Sequence, residues 1–489
     1  MPHATSKSKR VRRTSQDSYV HWRMGASNRA QLHDAAQKPP AERLLQLIWE
    51  QQRLRRGELR TLDGREVQVL HPGWLNREAG PDFRDAVIKF AAEAPQTGDI
   101  EIDVESNGWH AHKHDVNPSY RGVILHVVWR GDKAAAPLPT LAMGEFLDSP
   151  LGELQHWLAS DAREELPIAL QGQCSAPLKQ LEEHVWRDIL AQAALIRLQA
   201  KAAHIEARAR QVGWEQVLIE MLFRSLGYKQ NVWPMQRLGE ISPLVLESMG
   251  GERCPASLQA VLFGVASLLP EDVREAKQSV DAYVRHLWDI WWHRRDSLEE
   301  QILPREVWRF NGIRPANHPQ RRLALAAHWL AQKDLATRLE EWLAQKVRKQ
   351  DLVSSLLEIM QVEKDDFWSS RWTLKAARMT QEQPLLGETR LSDVAMNVVL
   401  PWLWLRASKG QNSGLLDEAG NRYLSWPRAE DNSVLRQARR RLLGHSTPGV
   451  LKSAAEQQGL IQIVRDFCDH ADATCENCPF PGLVASLPK

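Results

Sequence analysis

The hydrophobic pattern of this chain changes once, near residue 150, and that change limits the folds open to it. Before it, short segments alternate apolar and polar residues with the two-residue period of β-strands. After it, almost every segment has the i, i+3, i+4 apolar spacing of a helix. One helical segment at 41–54 precedes the strand-like ones, which are EVQVL, DAVIKF, DIEIDVE and the continuous run GVILHVVW. We therefore predict an α+β protein, with an N-terminal α/β module followed by a large all-helical region.

The length of the chain, 489 residues, predicts more than one domain, because single cores stop growing below this size. We predict a disordered basic arm at 1–38, an α/β domain at 39–165 and a helical domain at 166–489. The arm begins MPHATSKSKRVRRT, which lacks the apolar stretch of a secretory signal. No apolar run approaches the roughly 18 residues of a membrane span, so no membrane partner is expected. Five cysteines, an odd number, fit a reduced chain in the cytoplasm.

Acidic side chains concentrate between Gly80 and Asp115. In DIEIDVE, alternation places Glu101 and Asp103 on one face of a predicted strand, and the GPDF turn delivers Asp82 beside it. Three converging carboxylates repel one another unless a cation lies between them. Since hard oxygen ligands suit Mg²⁺ or Mn²⁺, the sequence predicts a divalent metal held by Asp82 and Glu101.

Histidines follow the same acids in the segment WHAHKHD. Because histidine transfers protons near neutral pH, we predict that His112, or Asp103, is an additional ligand or base. His126 lies in GVILHVVW, which reads as a central strand buried on both faces, so this histidine needs a hydrogen-bond partner. The structural alternatives are an exposed polar turn for His112 and a hydrogen-bonded core residue for His126.

Three of these features, in this order along the chain, resemble the core of the PD-(D/E)xK nuclease superfamily. They are an acid on a helix (Glu42 or Glu50), the Pro81-Asp82 turn, and a strand that carries Glu101. From about residue 40, the chain is also similar to an uncharacterised bacterial domain family, through ERLLQLIW, GPDF, GDIEI, VILHVVW, IRPANHPQRR and the terminal cysteines.

The nuclease resemblance implies that the two acids hold the metal and that a lysine two positions after the second acid polarises the attacking water. Asp103 stands at that lysine position in this chain. Lysine can be supplied from a neighbouring strand in this superfamily, which makes Lys89 the predicted catalytic lysine and Lys113 a second candidate.

The function implied by this resemblance is metal-dependent hydrolysis of phosphodiester bonds, with nucleic acid, and DNA in particular, as the partner. One alternative is a degenerate nuclease fold that binds nucleic acid or a protein without cleavage, which the missing lysine favours. Another is a small-molecule metalloenzyme built on His112 and His114, as in cupin barrels. Gly108 lies too close to these histidines for that motif, and too few strands follow to close a barrel.

The helical region carries its densest polar cluster in IRPANHPQRR. Net charge gives no guide to a nucleic-acid partner, because 63 basic residues balance 61 acidic ones. Arg314, Asn317, Arg321 and Arg322 surround the start of a predicted helix, where arginines can hold a phosphate. The alternative is that Arg314 and Asn317 fix the loop through hydrogen bonds to backbone carbonyls.

Three of the five cysteines, Cys468, Cys475 and Cys478, form a C-x6-C-x2-C pattern near the C-terminus. A C-x2-C pair brings two thiolates to one soft metal from a tight turn. We therefore predict a structural metal centre, either Zn²⁺ or a [4Fe–4S] cluster. Reduced thiols packed in a loop are the alternative.

The fourth ligand of this centre must come from elsewhere in the chain. The spacing resembles the iron–sulfur loop of helix-hairpin-helix DNA glycosylases, but Val484 stands where that loop has its fourth cysteine. His470, Cys174 and Cys254 are the candidates, and we name Cys174 among the ligands. A [4Fe–4S] cluster would favour one of the two cysteines.

Overall fold

The computed structural model describes residues 18–23, 39–76, 79–131, 138–158, 172–228, 230–270, 282–444, 451–468, 475 and 478–487. The chain divides into two compact units. The central unit comprises Pro39–Leu151 and His204–Leu403, and the terminal unit comprises Met1–Lys38, Gly152–Ala203 and Trp404–Lys489. Of the predicted basic arm, the described residues 18–23 are helical and contribute the buried Tyr19. The α+β class predicted from the sequence is confirmed.

The central unit contains a six-stranded mixed sheet with the order β1-β3-β4-β5-β6, and β2 pairs with β3. The pairs β1–β3 and β3–β4 are antiparallel, whereas β4–β5 and β5–β6 are parallel. The strands are β1 Val67–His71, β2 Trp74–Leu75, β3 Phe83–Phe90, β4 Gln96–Glu105, β5 Val123–Arg130 and β6 Thr140–Ala142.

The strands form where alternation or apolar continuity predicts them. In β4, Ile100 and Ile102 are buried, and the acids alternate with them. The run VILHVVW becomes β5, which lies between β4 and β6 and is buried along most of its length, as a central strand is. Sequence reasoning missed β2 and β6, which have two and three residues and are too short for a periodic signal.

Helices and their connecting loops make up the rest of the described central unit. The helix Pro255–Val265 is buried from Ser257 onward, and Gly264 permits its close contact with a neighbouring helix, since a Cβ there would lie 2.0 Å from the ring of Trp291. The helices of this unit are Glu42–Gln51, Gly108–Ala111, Trp214–Leu226, Val232–Glu240, Ser242–Ser248, Pro255–Val265, Ala282–Arg294, Pro319–Ala331, Leu335–Ala344, Leu352–Met360 and Glu388–Val394.

Helices and the loops that join them form the described part of the terminal unit. Its apolar core includes Tyr19, Trp186, Leu442, Phe467 and Phe480. Its helices are Ser175–Leu178, Ser413–Ser425, Ser433–Leu443, Ala454–Cys468 and Phe480–Ala485. The helices Leu151–Leu158, Glu183–Val212 and Leu400–Lys409 have residues in both units. No helix in the described part of the chain is long and apolar enough to cross a membrane.

Candidate functional site

Two of the predicted acids meet where β3 begins beside β4. Asp82 directly precedes β3, and the antiparallel pairing of Phe83 with Ile100 sets it against Glu101. The backbone N–H of Asp82 donates to Glu101 Oε2 at 3.2 Å, and Asp82 Oδ2 accepts from the backbone N–H of Ile102 at 3.0 Å. The structure therefore brings Asp82 and Glu101 together through backbone hydrogen bonds.

The helix Glu42–Gln51 supplies a further acid and an amide to the same place. Gln46 Nε2 donates to Asp82 Oδ1 at 2.9 Å and to Glu42 Oε1 at 3.3 Å. Of the two helix acids considered from the sequence, Glu42 is thereby linked to Asp82. Gln46 was missed by sequence reasoning, and its only signal is the four-residue spacing from Glu42, which puts both side chains on one helix face.

Asp103 lies between two histidines. Its Oδ1 is 3.1 Å from His112 Nδ1, and its Oδ2 is 2.9 Å from Nε2 of the fully buried His126. The partner that the sequence required for His126 is therefore Asp103. The turn that carries His112 can approach this closely because residue 108 is glycine, and a Cβ there would lie 2.6 Å from Asp103 Oδ1.

His114 is buried beside Glu101. Neither of its ring nitrogens has a hydrogen-bond partner among the residues that the structure describes, although Nε2 is 3.2 Å from Glu101 Oε1. Its ring stacks on Tyr120 at 3.9 Å between centroids and contacts the edge of Trp109. Sequence reasoning missed both aromatic residues, since neither carries a metal-ligand signal.

Donor atoms of Asp103, His112 and His114 all lie within 4.8 Å of one another. Among the described residues this is the group of three that could hold a metal ion. Asp103 and His114 are buried, whereas His112 is exposed, so the group is open to solvent beside His112. A carboxylate and two imidazoles are ligands that suit a divalent transition metal.

Three carboxylates of the site have raised pKa values because burial and the charge of neighbouring acids disfavour their ionised forms. Burial, then the charge of Glu42, raises the pKa of Asp82 to about 7. Burial, then the charges of Asp82 and Asp103, raises the pKa of Glu101 to about 9. Burial, followed by the charge of Asp103, also raises the pKa of Glu42. These side chains therefore resist ionising together unless positive charge is placed among them.

Neither predicted lysine is part of this group. Lys89 pairs with Gln68 near the far end of β3, and its Nζ donates to the backbone oxygen of Glu300 at 3.3 Å. Lys89 is seven positions along the chain from Asp82, a distance of about 20 Å in an extended strand. The prediction of Lys89 as the catalytic lysine is therefore corrected, because a place on a neighbouring strand does not fix the distance along that strand. Lys113 is exposed in the histidine turn.

Two of the three arginines predicted to bind phosphate, Arg321 and Arg322, are buried. Arg321 donates to the backbone oxygens of Trp368, Arg371, Gln383 and Pro384, and Arg322 donates to Leu385 O and to Asn317 Oδ1. Their guanidinium groups hold loops of the protein in place through these hydrogen bonds. We therefore correct the prediction that Arg321 and Arg322 bind phosphate. Asn317 fixes the loop through Arg322, and Arg314 is exposed.

Four of the cysteines line one cavity of the terminal unit, together with Arg441. They are Cys174, Cys468, Cys475 and Cys478. Burial raises the pKa of the Cys174 and Cys468 thiols to about 12. Cys254 is exposed and belongs to the central unit, and His470 lies outside the described residues.

The profile of one protein family, described as "Protein of unknown function (DUF2851)", matches residues 42–433. The chain belongs to this family. The matched range contains every acid and histidine of the candidate site and Cys174, whereas Cys468, Cys475 and Cys478 follow it. No curated protein and no solved structure matches the chain.

Proposed function

We propose that this DUF2851 protein is a divalent-metal-dependent phosphodiesterase that acts on nucleic acid. One observation carries the proposal. Buried, mutually repelling carboxylates lie beside two imidazoles at one place on the sheet, and the buried ring nitrogens of one of these, His114, make no hydrogen bond to the residues that the structure describes. A metal ion would give the His114 imidazole a bonding partner and would offset the excess negative charge of the carboxylates.

The ligand set is proposed to be Asp103, His112 and His114, whose donor atoms already lie within 4.8 Å of one another. The sequence predicted that two acids, Asp82 and Glu101, hold the ion. The proposed set instead places the ion beside the two histidines. Since imidazole is a softer ligand than carboxylate, it favours Mn²⁺ over Mg²⁺. When bound, the ion would lower the pKa of a bound water and offset charge on the phosphate.

The remaining groups of the site are proposed to position and deprotonate that water. Glu101 lies 3.2 Å from His114 Nε2 and faces the ligand set, so we assign it to accept the proton of the attacking water. Asp82 fixes the Glu101 carboxylate through its backbone N–H, and Gln46 and Ile102 in turn fix Asp82. His126 holds the second oxygen of Asp103, which keeps this carboxylate oriented towards His112.

Nucleic acid is the proposed substrate because basic side chains lie near the acids and the resemblance implies phosphodiester chemistry. Arg43 Nη1 donates to Gln46 Oε1 at 3.3 Å, and Gln46 itself contacts Asp82. Lys113 and Arg121 are exposed on the segment that carries the histidines. The absence of a lysine at position 103 supports the second candidate, a non-catalytic nucleic-acid-binding module.

The test is cleavage of single- and double-stranded DNA and RNA by the full chain with Mn²⁺, Mg²⁺, Zn²⁺ or a chelator. We expect cleavage with Mn²⁺, and Glu101→Gln should lower it at least ~100-fold while Mn²⁺ still binds. His114→Ala should remove Mn²⁺ binding as well. Glu105→Gln, an exposed acid on the same strand, is the matched control and should behave like the parent.

The outcomes separate the two candidate functions. Retarded migration of nucleic acid without cleavage would support the binding module instead of the enzyme. If Mn²⁺ binds neither the parent nor Glu101→Gln, and no substrate is cleaved, the metal site itself is rejected.

A further inference from the structure

A cavity in the terminal unit is lined by thiols from separate stretches of the chain. Cys174 directly precedes the helix Ser175–Leu178, Cys468 ends the helix Ala454–Cys468, and Cys475 and Cys478 precede the helix Phe480–Ala485. The space left between these side chains is small, about 10 Å³, so the thiols converge closely on one place. Four of the five cysteines of the chain meet there from separate stretches, and four converging thiols are the usual ligands of a zinc ion or an iron–sulfur cluster.

Two residues of the cavity wall, Gly172 and Arg441, lie close to the sulfur atoms. A Cβ on Gly172 would be 3.1 Å from Cys174 Sγ and 3.0 Å from the backbone oxygen of Arg441. Arg441 is itself buried, and its Nη2 donates to Cys475 Sγ at 3.1 Å. A buried guanidinium beside the thiols offsets the negative charge that four thiolates would bring, and such hydrogen bonds to sulfur tune a bound cluster.

The spacing of the sulfurs distinguishes the two groups that four cysteines commonly hold. A zinc ion bonds each sulfur at about 2.3 Å, which puts the four sulfurs about 3.8 Å from one another. In the described part of the chain, however, the set of three donors within 4.8 Å is Asp103, His112 and His114, and no set of cysteines is that tight. An iron–sulfur cubane binds each thiolate at a different corner iron, so its ligands stand further apart.

We propose that Cys174, Cys468, Cys475 and Cys478 hold a [4Fe–4S] cluster in this cavity. Cys174 is the fourth ligand, because it lines the cavity with the other three. Cys254 is exposed in the central unit and takes no part. The cluster has a structural role, since it joins the C-terminal residues to the segment that precedes the helix Glu183–Val212.

The experiment is anaerobic purification of the full chain, followed by measurement of iron, acid-labile sulfide and zinc. We expect a brown protein with about four irons and four sulfides per chain, as the cluster formula requires. Cys174→Ser should lose at least half of the iron, whereas Cys254→Ser, the matched control, should retain all of it. One zinc per chain without sulfide, or no metal at all, would overturn the proposal.

A second measurement avoids the risk that Cys174→Ser does not fold. The parent protein is treated with an alkylating reagent before and after its iron is extracted with a chelator, and each cysteine is then followed by mass spectrometry. Cys174 and the three C-terminal thiols should become reactive together on extraction, while Cys254 reacts equally in both samples. If extraction leaves Cys174 unchanged and exposes only the other three, Cys174 is not a ligand.

Discussion

At the residue scale, the positions of site side chains could be predicted where a short-range rule of strand or turn geometry determines their neighbours. Period two along β4 placed Glu101 and Asp103 on one face, and the Pro81-Asp82 turn placed Asp82 beside them. The choice of Lys89 failed, because a lysine on the neighbouring strand can lie far from the acids along that strand. Tyr120 reaches the site only through tertiary packing, so no sequence spacing identifies it, and the single signal for Gln46 is its four-residue spacing from Glu42.

Arg321 offers a prediction at this scale. Its guanidinium is buried and donates to four backbone carbonyls, so Arg321→Met would leave several of them unsatisfied in the interior. We expect the free energy of unfolding to fall by about 3 kcal/mol. Urea denaturation measures it, and the exposed Arg314→Met is the control, with a change within about 0.5 kcal/mol.

The same pair of variants also tests the sequence-based prediction of phosphate binding. Arg321→Met, where it remains folded, should bind nucleic acid as tightly as the parent at every salt concentration. A reduced salt dependence for Arg321→Met alone would show that this arginine contacts phosphate after all.

At the scale of elements, the sequence predicted which segments form strands and helices better than how they pair. Alternation in DAVIKF and DIEIDVE indicates two half-buried strands, and a short connection makes them an antiparallel pair. The parallel pairing of β4 with β5 depends on the path of the chain through residues 106–122, which carries no such local signal. The close helix contact at Gly264 could not be predicted from the sequence either, since a glycine within a helix has several explanations.

That contact gives a prediction for the helix pair Pro255–Val265 and Ala282–Arg294. A methyl group at Gly264 would overlap the ring of Trp291, so Gly264→Ala should destabilise the protein by about 1–3 kcal/mol. Gly420, in the helix Ser413–Ser425, serves as the control, because a Cβ added there would point into open space. Gly420→Ala should stabilise by about 0.5–1 kcal/mol, because alanine restricts the unfolded chain.

Thermal and urea unfolding of both variants would measure these changes. If Gly264→Ala is as stable as the parent, the two helices do not approach as closely as the structure shows. A gain in stability from both substitutions would mean that helix propensity outweighs packing at both positions.

At the scale of the whole molecule, the pH dependence of stability should include contributions from the buried His71 and the half-buried His318 of the central unit. Burial, then the charge of Arg309, lowers the pKa of His71 to about 4, and burial, then Arg305, lowers that of His318 to about 4. Their ordinary value is 6.5, so between these pH values these two histidines bind more protons in the unfolded chain than in the folded one. Their contribution to stability should therefore fall from pH 6.5 to 4, by up to about 1.4 kcal/mol per pH unit for each histidine. The raised pKa values of Asp82 and Glu101 act in the opposite direction over this range, because the folded chain holds protons there that the unfolded chain has lost.

Urea denaturation across this pH range measures the slope. His318→Asn keeps an acceptor for the backbone N–H of Gln320, to which His318 Nδ1 is bonded at 3.3 Å. It should change the slope by about one proton relative to the parent, because the contribution of His318 is removed and those of the other groups are kept. The exposed His293→Asn is the matched control and should leave the slope unchanged. Equal slopes for all three proteins would exclude His318 as a source of the pH dependence.

The division of the chain into units also has a consequence for its biosynthesis. The central unit is complete once residue 403 has been translated, whereas the terminal unit needs residues from both before 204 and after 403. Its early segments must therefore wait on the ribosome, or with a chaperone, until the last helices emerge. Cys174 spends that interval as an unligated thiol, so acquisition of the proposed cluster is a step that follows translation.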